Sequence, residues 1–173
     1  MPNYLCPICL TSLNLKQQQF KCENNHAFDL AKEGYVNLLP VQFKRSKEPG
    51  DNKAMVNARR EFLSKGYYKP LVDRLTSLLN TYAPQDANIL DAGCGEGYYT
   101  HQHKQVKNTV YGIDIAKEAV KKAAKKYPEC HFSVGTLSKL PFKDKEFDWL
   151  YSTYAPILEQ EFTRVLKKEG YLL

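Results

Sequence analysis

No stretch of the 173-residue chain approaches the ~18 consecutive apolar residues that a membrane-spanning helix needs. The opening Met1-Pro2-Asn3-Tyr4 also lacks the basic region and apolar run of a secretory signal peptide. Both absences argue against a membrane-spanning or exported protein and leave a cytoplasmic location as the expectation. Disulfides have little place in that reducing compartment, so the five cysteines read as metal ligands or buried thiols. With 43% hydrophobic and 25% charged residues, the chain has too much apolar material for a disordered one. Charge balance is missing from one half only. Residues 1–85 hold 12 Lys and Arg against 7 Asp and Glu, whereas residues 86–173 hold 13 against 12. A basic surplus of this kind suits a polyanionic partner, because phosphate contacts release counterions, although it also serves solubility.

What the chain does have begins at Cys6-Pro7-Ile8-Cys9, followed after 12 residues by Cys22 and after three more by His26. Two cysteines two residues apart turn their sulfurs toward one point, and a Cys-x-x-x-His pair closes the tetrahedron from a second turn. There Asn24 and Asn25 tolerate left-handed backbone. Three thiolates and an imidazole suit Zn2+. All four positions are protein atoms, so the metal is expected to be structural. Residues 1–40 form this module. The segment Phe28 to Pro40 and the basic loop Lys44-Arg45-Ser46-Lys47 mix rings with cations, which suits RNA as well as it suits a solvated loop.

Residues 41–85 read as a basic loop and two helices. The first is capped by Asp51 or Asn52, carries Met55, Ala58, Phe62 and Leu63 at helical spacing, and ends at Gly66. The second starts at Pro70 and carries Leu71, Leu75, Leu78 and Leu79. Tyr67 and Tyr68 lie at the junction, where they either pack or close over a ligand.

From residue 86 to 173 strands and helices alternate, predicting an α/β Rossmann-like parallel sheet with helices on both faces. The strands are expected at 88–91, 110–114, 131–134, 147–151 and from 170. The helices are expected at 98–100, 117–127 and about 158–166. The turn Ala92-Gly93-Cys94-Gly95-Glu96-Gly97 follows the first strand, and Asp114 ends the second, where a carboxylate can accept both hydroxyls of a ribose. Tyr98 occupies the place of the third glycine of a dinucleotide fingerprint, which disfavours a nicotinamide cofactor. The Gly-x-Gly-x-Gly turn preceded by Asp91 resembles that of S-adenosylmethionine enzymes. The turn Gly135 to Ser138, including Leu137, is placed to hold an adenine. Tyr154, followed by Pro156, either stacks on a target base or closes a turn.

Cys6-x-x-Cys9, Cys22-x-x-x-His26, the run Phe28 to Leu39, Pro49-Gly50-Asp51, Ala58-Arg59-Arg60 and Asp91-x-Gly93-Cys94-Gly95-Glu96-Gly97-Tyr98-Tyr99 together resemble the bacterial 23S ribosomal RNA guanine-N1 methyltransferase family. The resemblance implies a zinc-ribbon-like module that recognises an RNA hairpin, followed by a class I S-adenosylmethionine-dependent methyltransferase domain. It assigns Zn2+ to Cys6, Cys9, Cys22 and His26. It assigns cofactor contacts to Tyr68 and the Gly95 to Tyr98 segment, beside Asp91, Gly93, Asp114 and Leu137 from the reading above. The implied partner is a 23S rRNA hairpin, and a homodimer is compatible with it. The implied sheet has seven strands and this sequence ends in its fifth, so a fragment or shortened product is expected. Two alternatives stay open: a small-molecule methyltransferase, and a non-catalytic RNA-binding chain.

Overall fold

The computed structural model describes residues 3–43, 49–104 and 107–173; the Lys44 to Lys47 loop lies outside the described residues. Three short antiparallel strands, β1 (Asn14–Lys16), β2 (Gln19–Lys21) and β3 (Ala27–Asp29), pair in the order β1-β2-β3. Phe20 sits opposite both Leu15 and Phe28. The tight turn between β1 and β2 places Gln17 and Gln18 at positive φ.

The next strand, β4 (Tyr35–Asn37), leaves this ribbon. It pairs parallel to β7 (His131–Val134), at the edge of the main sheet. Residues 35–37, within the 1–40 span expected for the zinc module, thus join that module to the main sheet by backbone pairing. Val36 and Leu38 are apolar and buried there, and β4 gives the outer edge of β7 a hydrogen-bonding partner.

A helix α1 (Lys53–Ser64) starts at Asn52, whose side chain accepts a hydrogen bond from the Met55 amide. Its buried side chains are Val56 and Leu63, and Val56 packs with Ala116 and Ala119. Met55 and Phe62, expected on the inner face, are 50% and 45% exposed. The small Ala116 and Ala119 side chains admit the helix through a narrow contact, which leaves the neighbouring apolar stripe outside. Helix α2 (Lys69–Tyr82) has Pro70 in its first turn and buries Val72, Leu75 and Leu79.

The main sheet continues with β5 (Asn88–Ala92), the short helix α3 (Tyr98–Gln102), β6 (Thr109–Asp114), α4 (Lys117–Lys126), β7, β8 (Phe147–Tyr151), α5 (Glu159–Val165) and β9 (Leu166–Leu172). Its six parallel strands run in the order β4-β7-β6-β5-β8-β9. Residues 131–134 and 147–151 form strands as expected. β9 begins four residues before the expected Gly170. Its run Leu166-Lys167-Lys168-Glu169 is mostly exposed, so it carries no apolar signal from which a strand could be read.

The two faces of the sheet are covered differently. On one, α2 and α4 pack Val72, Leu75, Leu79, Val120 and Ala123 against Ile89, Val110, Phe132 and Trp149. The other face carries Leu90, Tyr111, Ile113, Phe147 and Leu150, and it is covered by α5 and by the ribbon's Tyr4, Cys6, Leu13, Phe20 and Cys22. Residues 135–146, the crossover between β7 and β8, contain no helix. The ribbon occupies the space where a crossover helix would ordinarily pack. Tyr4 fixes it there, with its ring 5.4 Å from Phe20, 5.5 Å from Phe142 and 6.2 Å from Tyr111. The Leu5 amide donates to the Pro141 carbonyl at 2.8 Å. No helix among the described residues is long and apolar enough to cross a membrane.

Candidate functional site

Cys6, Cys9, Cys22 and His26 converge, with their ligand atoms all within 4.8 Å of one another. The Cys9 and Cys22 sulfurs are 3.7 Å apart, and Nδ1 of His26 lies 3.5 Å from the Cys6 sulfur and 3.4 Å from that of Cys22. A tetrahedron of Zn–S bonds of about 2.3 Å has edges of about 3.8 Å, so the cluster fits Zn2+ with Nδ1 as the nitrogen ligand. Two turns build it. The Leu10 amide donates to the Cys6 carbonyl and the Asn25 amide to that of Cys22, with Leu10 and Asn25 both at φ 63°. Hydrogen bonds from Thr11 pull the Cys9 thiol down to about 5, favouring the ionised form that a metal binds. Burial pushes the Cys6 thiol up.

The second constellation lies at the carboxyl ends of β5, β6 and β8, beside the switch in strand order, where open α/β sheets bind ligands. The glycine turn is tied to β6 by the Gly93 and Cys94 amides, which both donate to the Ile113 carbonyl. Asp114 accepts the Gly95 amide at 2.9 Å on one oxygen and the Ala116 amide at 2.8 Å on the other. This fixes the carboxylate and leaves each oxygen a further lone pair for an incoming hydroxyl. Gly93, Gly95 and Gly97 have φ of 90°, 53° and 82°. The space that a Cβ on Gly95 would enter is open, so a ligand can approach the backbone there. Gly93 is different, because a Cβ would run into that of Ala155 in the loop after β8.

That loop is bound to the glycine turn through Ser152, whose hydroxyl donates to the Ala92 carbonyl at 3.0 Å. It also presents Tyr154 at φ 63°, a conformation that costs an ordinary side chain about 1–2 kcal/mol. The Tyr154 ring is 76% exposed and meets that of Tyr68 edge-on, with centroids 5.8 Å apart. Asp91 is 1% exposed and accepts a 2.7 Å hydrogen bond from the Thr100 hydroxyl. Burial pushes its carboxyl up to about 7. The Tyr99 hydroxyl, in the same region, is buried with no hydrogen-bond partner among the described residues.

The structure thus brings Gly93, Gly95, Asp114 and the backbone of 135–137 to one end of the sheet, with Gly135 donating to the Asp114 carbonyl. Tyr68 and Tyr154 stand together at that end, while Asp91 lies beneath it. Leu137 packs partly into the ribbon-side core. Glu96 and Tyr98 point elsewhere. With Arg60, His101, Lys126 and Tyr127 they line a cleft of about 610 Å³ behind the glycine turn, which none of Gly93, Gly95, Asp114 and Leu137 lines. The Glu96 carboxylate is 3.9 Å from Nε of Arg60.

Sequence reading missed Thr100, Ser152 and Ala155, whose roles come from contacts across the turn and leave no spacing signal. It also missed the Arg59–Asp51 ion pair (2.7 Å), which lies in the segment whose Gly50 packs against Ala116, two residues beyond Asp114. Gly93→Ala is expected to lower stability by about 2 kcal/mol, from the clash with Ala155 and the left-handed backbone together. An unchanged thermal midpoint would contradict the close approach of the two loops.

Residues 4–47 match the family described as "RlmA, N-terminal", and residues 89–170 the one described as "Methyltransferase domain". The 23S rRNA (guanine(748)-N(1))-methyltransferase of Streptomyces fradiae is 32% identical over 173 residues, covering 97% of this chain and 61% of that protein. Relatives from Bacillus subtilis and Micromonospora griseorubida, provisionally named as 23S rRNA (guanine-N(1)-)-methyltransferases, are 31% and 30% identical. The matches span 98% and 100% of this chain and 62% and 65% of theirs. The chain therefore spans somewhat less than two thirds of the length of these relatives. A TehB-like SAM-dependent methyltransferase from Corynebacterium glutamicum shares the fold, with a TM-score of 0.54 and 24% identity over 70% of this chain and 72% of that one.

Proposed function

We propose that this chain, an RlmA-type zinc ribbon joined to a class I methyltransferase domain, carries the RNA-recognition and cofactor-binding parts of an enzyme that methylates N1 of a guanine in a 23S rRNA hairpin. The observation that carries the reading is the ribbon built into the sheet of a methyltransferase fold, together with relatives named for that activity whose similarity runs through both parts. The substrate accordingly lies in the cytoplasm, with the ribosome.

S-adenosylmethionine, when bound, supplies the methyl group from its sulfonium. In this reading the fixed Asp114 carboxylate takes the ribose hydroxyls, the open backbone at Gly95 accepts close approach while Gly93 holds the turn against the loop after β8, and the 135–137 turn bounds the adenine. Asp91 and Tyr68 flank the remaining end. Glu96, Gly97 and Tyr98 contribute through the backbone of the turn, since the Glu96 carboxylate and the Tyr98 ring line the cleft behind it. Tyr154 offers an exposed face at the strand end on which an unpaired guanine can stack. The chain's own contribution is alignment and exclusion of water, and positioning of this kind is worth about 7–11 kcal/mol of barrier. Cys6, Cys9, Cys22 and His26 hold Zn2+ in a closed site with no position for a substrate water.

The test is methyl transfer from labelled S-adenosylmethionine to unmethylated 23S rRNA, using this chain and a form extended to the length of the relatives, with the product mapped by primer-extension stop. A stop at one hairpin guanine is the expected result. Labelling of small molecules but of no RNA by either form would overturn the RNA reading in favour of a small-molecule methyltransferase.

A further inference from the structure

Four rings form a continuous run leading away from the strand end. Tyr154 meets Tyr68 at 5.8 Å between centroids, Tyr68 meets Phe62 at 5.9 Å, and Phe62 meets Tyr67 at 5.4 Å. Packing does not require the outer members. The buried side of α1 is Val56 and Leu63, while Phe62 and Tyr67 are 45% and 66% exposed. A connected aromatic strip facing solvent marks a contact surface more often than a solvated one.

Charge indicates what it contacts. Between residues 51 and 73 the chain carries five cations, Lys53, Arg59, Arg60, Lys65 and Lys69, against three acids, Asp51, Glu61 and Asp73. The side chains of Arg59, Arg60, Lys65 and Lys69 are all roughly half exposed or more. The Lys65–Glu61 and Lys69–Asp73 pairs are exposed on both sides, contribute little and are readily exchanged for phosphate, whereas Arg59 and Arg60 are tethered to the more buried Asp51 and Glu96 and offer phosphate only their exposed guanidinium edges. Rings interleaved with exposed cations are what unpaired nucleotides bind, with bases on the ring faces and phosphates on the charges.

We propose that Phe62 and Tyr67 form a stacking platform for the unpaired nucleotides next to the target guanine, continuing outward from Tyr154 and Tyr68. This inference rests on the RNA reading above. It assigns recognition of the flanking sequence to the α1–α2 junction, separately from whatever the zinc ribbon contacts.

The test uses this chain and a hairpin RNA with an unpaired guanine-containing loop, carrying 2-aminopurine beside the guanine. Wild type is expected to bind and quench the probe. Tyr67→Leu should weaken binding about 10-fold and abolish most of the quenching, while Tyr67→Phe stays within about 2-fold. The slope of log Kd against log salt should be unchanged in Tyr67→Leu, because no phosphate contact is lost. Phe62→Leu should act in the same direction.

Equal binding and quenching by wild type, Tyr67→Leu and Phe62→Leu would overturn the platform and leave the RNA reading standing. No RNA binding by wild type would overturn both. A change of oligomeric state in Tyr67→Leu by sedimentation, with RNA affinity unaltered, would reassign the strip to a protein contact and overturn the proposal.

Discussion

Chelating the metal is expected to unfold the methyltransferase sheet as well as the ribbon. A structural zinc contributes about 10–16 kcal/mol of apparent binding free energy, which equals or exceeds the whole stability of an ordinary domain. Here that energy does not stay local. Two of the ligands, Cys6 and Cys22, lie in the same buried cluster as Leu90, Tyr111, Phe147 and Leu150 of the sheet and Phe142 of the β7–β8 crossover. The Tyr4 ring and the Leu5 amide hold the ribbon against the 141–142 segment. Without the metal the ribbon has three-residue strands and little core of its own. Its collapse would therefore expose the face made by Tyr111, Ile113 and Phe147. The measurement is hydrogen exchange on β5, β6 and β8 before and after treatment with a chelator, alongside a thermal melt. Exchange should accelerate in all three strands, and the melt should shift as one transition. Retained protection in β5 and β6 after metal loss would show instead that the ribbon is an appendage. Cys9→Ser should reproduce the chelator effect in weaker form, because an alcohol is a poor zinc ligand.

This integration shows where sequence reading reached its limit. The ligand spacing of Cys6, Cys9, Cys22 and His26 was legible because the constraint is local, two turns each set by a few residues. Strands β7 and β8 were legible for a similar reason, as short apolar runs bounded by breaks. The position of β4 was not. Tyr35-Val36-Asn37 follows the ribbon in the chain, yet it pairs with residues almost a hundred positions later, and no period in the sequence encodes that partner. The buried side of α1 is not legible in the sequence, because Met55, Phe62 and Leu63 all satisfy a helical period while only Leu63 of the three is buried. The small side chains of Ala116 and Ala119 decide which of the apolar positions is covered. The glycine turn and Asp114 could be singled out from residue types. The amide bonds that orient Asp114, and the contact of Ala155 on Gly93, emerge only once β5, β6 and β8 lie side by side.

Asp91→Asn is expected to stabilise the ligand-free chain above neutral pH, by as much as about 4 kcal/mol. The cause is desolvation. Asp91 lies at the end of a central strand with 1% of its surface exposed, and the nearby Thr100 and Tyr151 hydroxyls offset only part of the burial penalty on the charged form. The carboxyl is thereby raised from 3.8 to about 7 in the folded chain. The native state consequently binds a proton that the unfolded state releases between those two values. Stability falls as pH rises through that window and levels off above it, because the slope follows the difference in bound protons between the unfolded and native states. Asparagine is isosteric, keeps an oxygen to accept from Thr100, and has no charge to desolvate. The measurement is the difference in unfolding free energy between wild type and Asp91→Asn from pH 4 to pH 8, taken as a difference so that the other carboxylates cancel. The gap should be near its minimum at pH 4, widen up to about pH 7, and then hold constant. A gap independent of pH would mean that Asp91 ionises normally, so that water or a cation reaches it in the folded chain. A destabilised variant at pH 8 would mean that the ionised carboxylate is itself a structural acceptor, stabilised by more than Thr100.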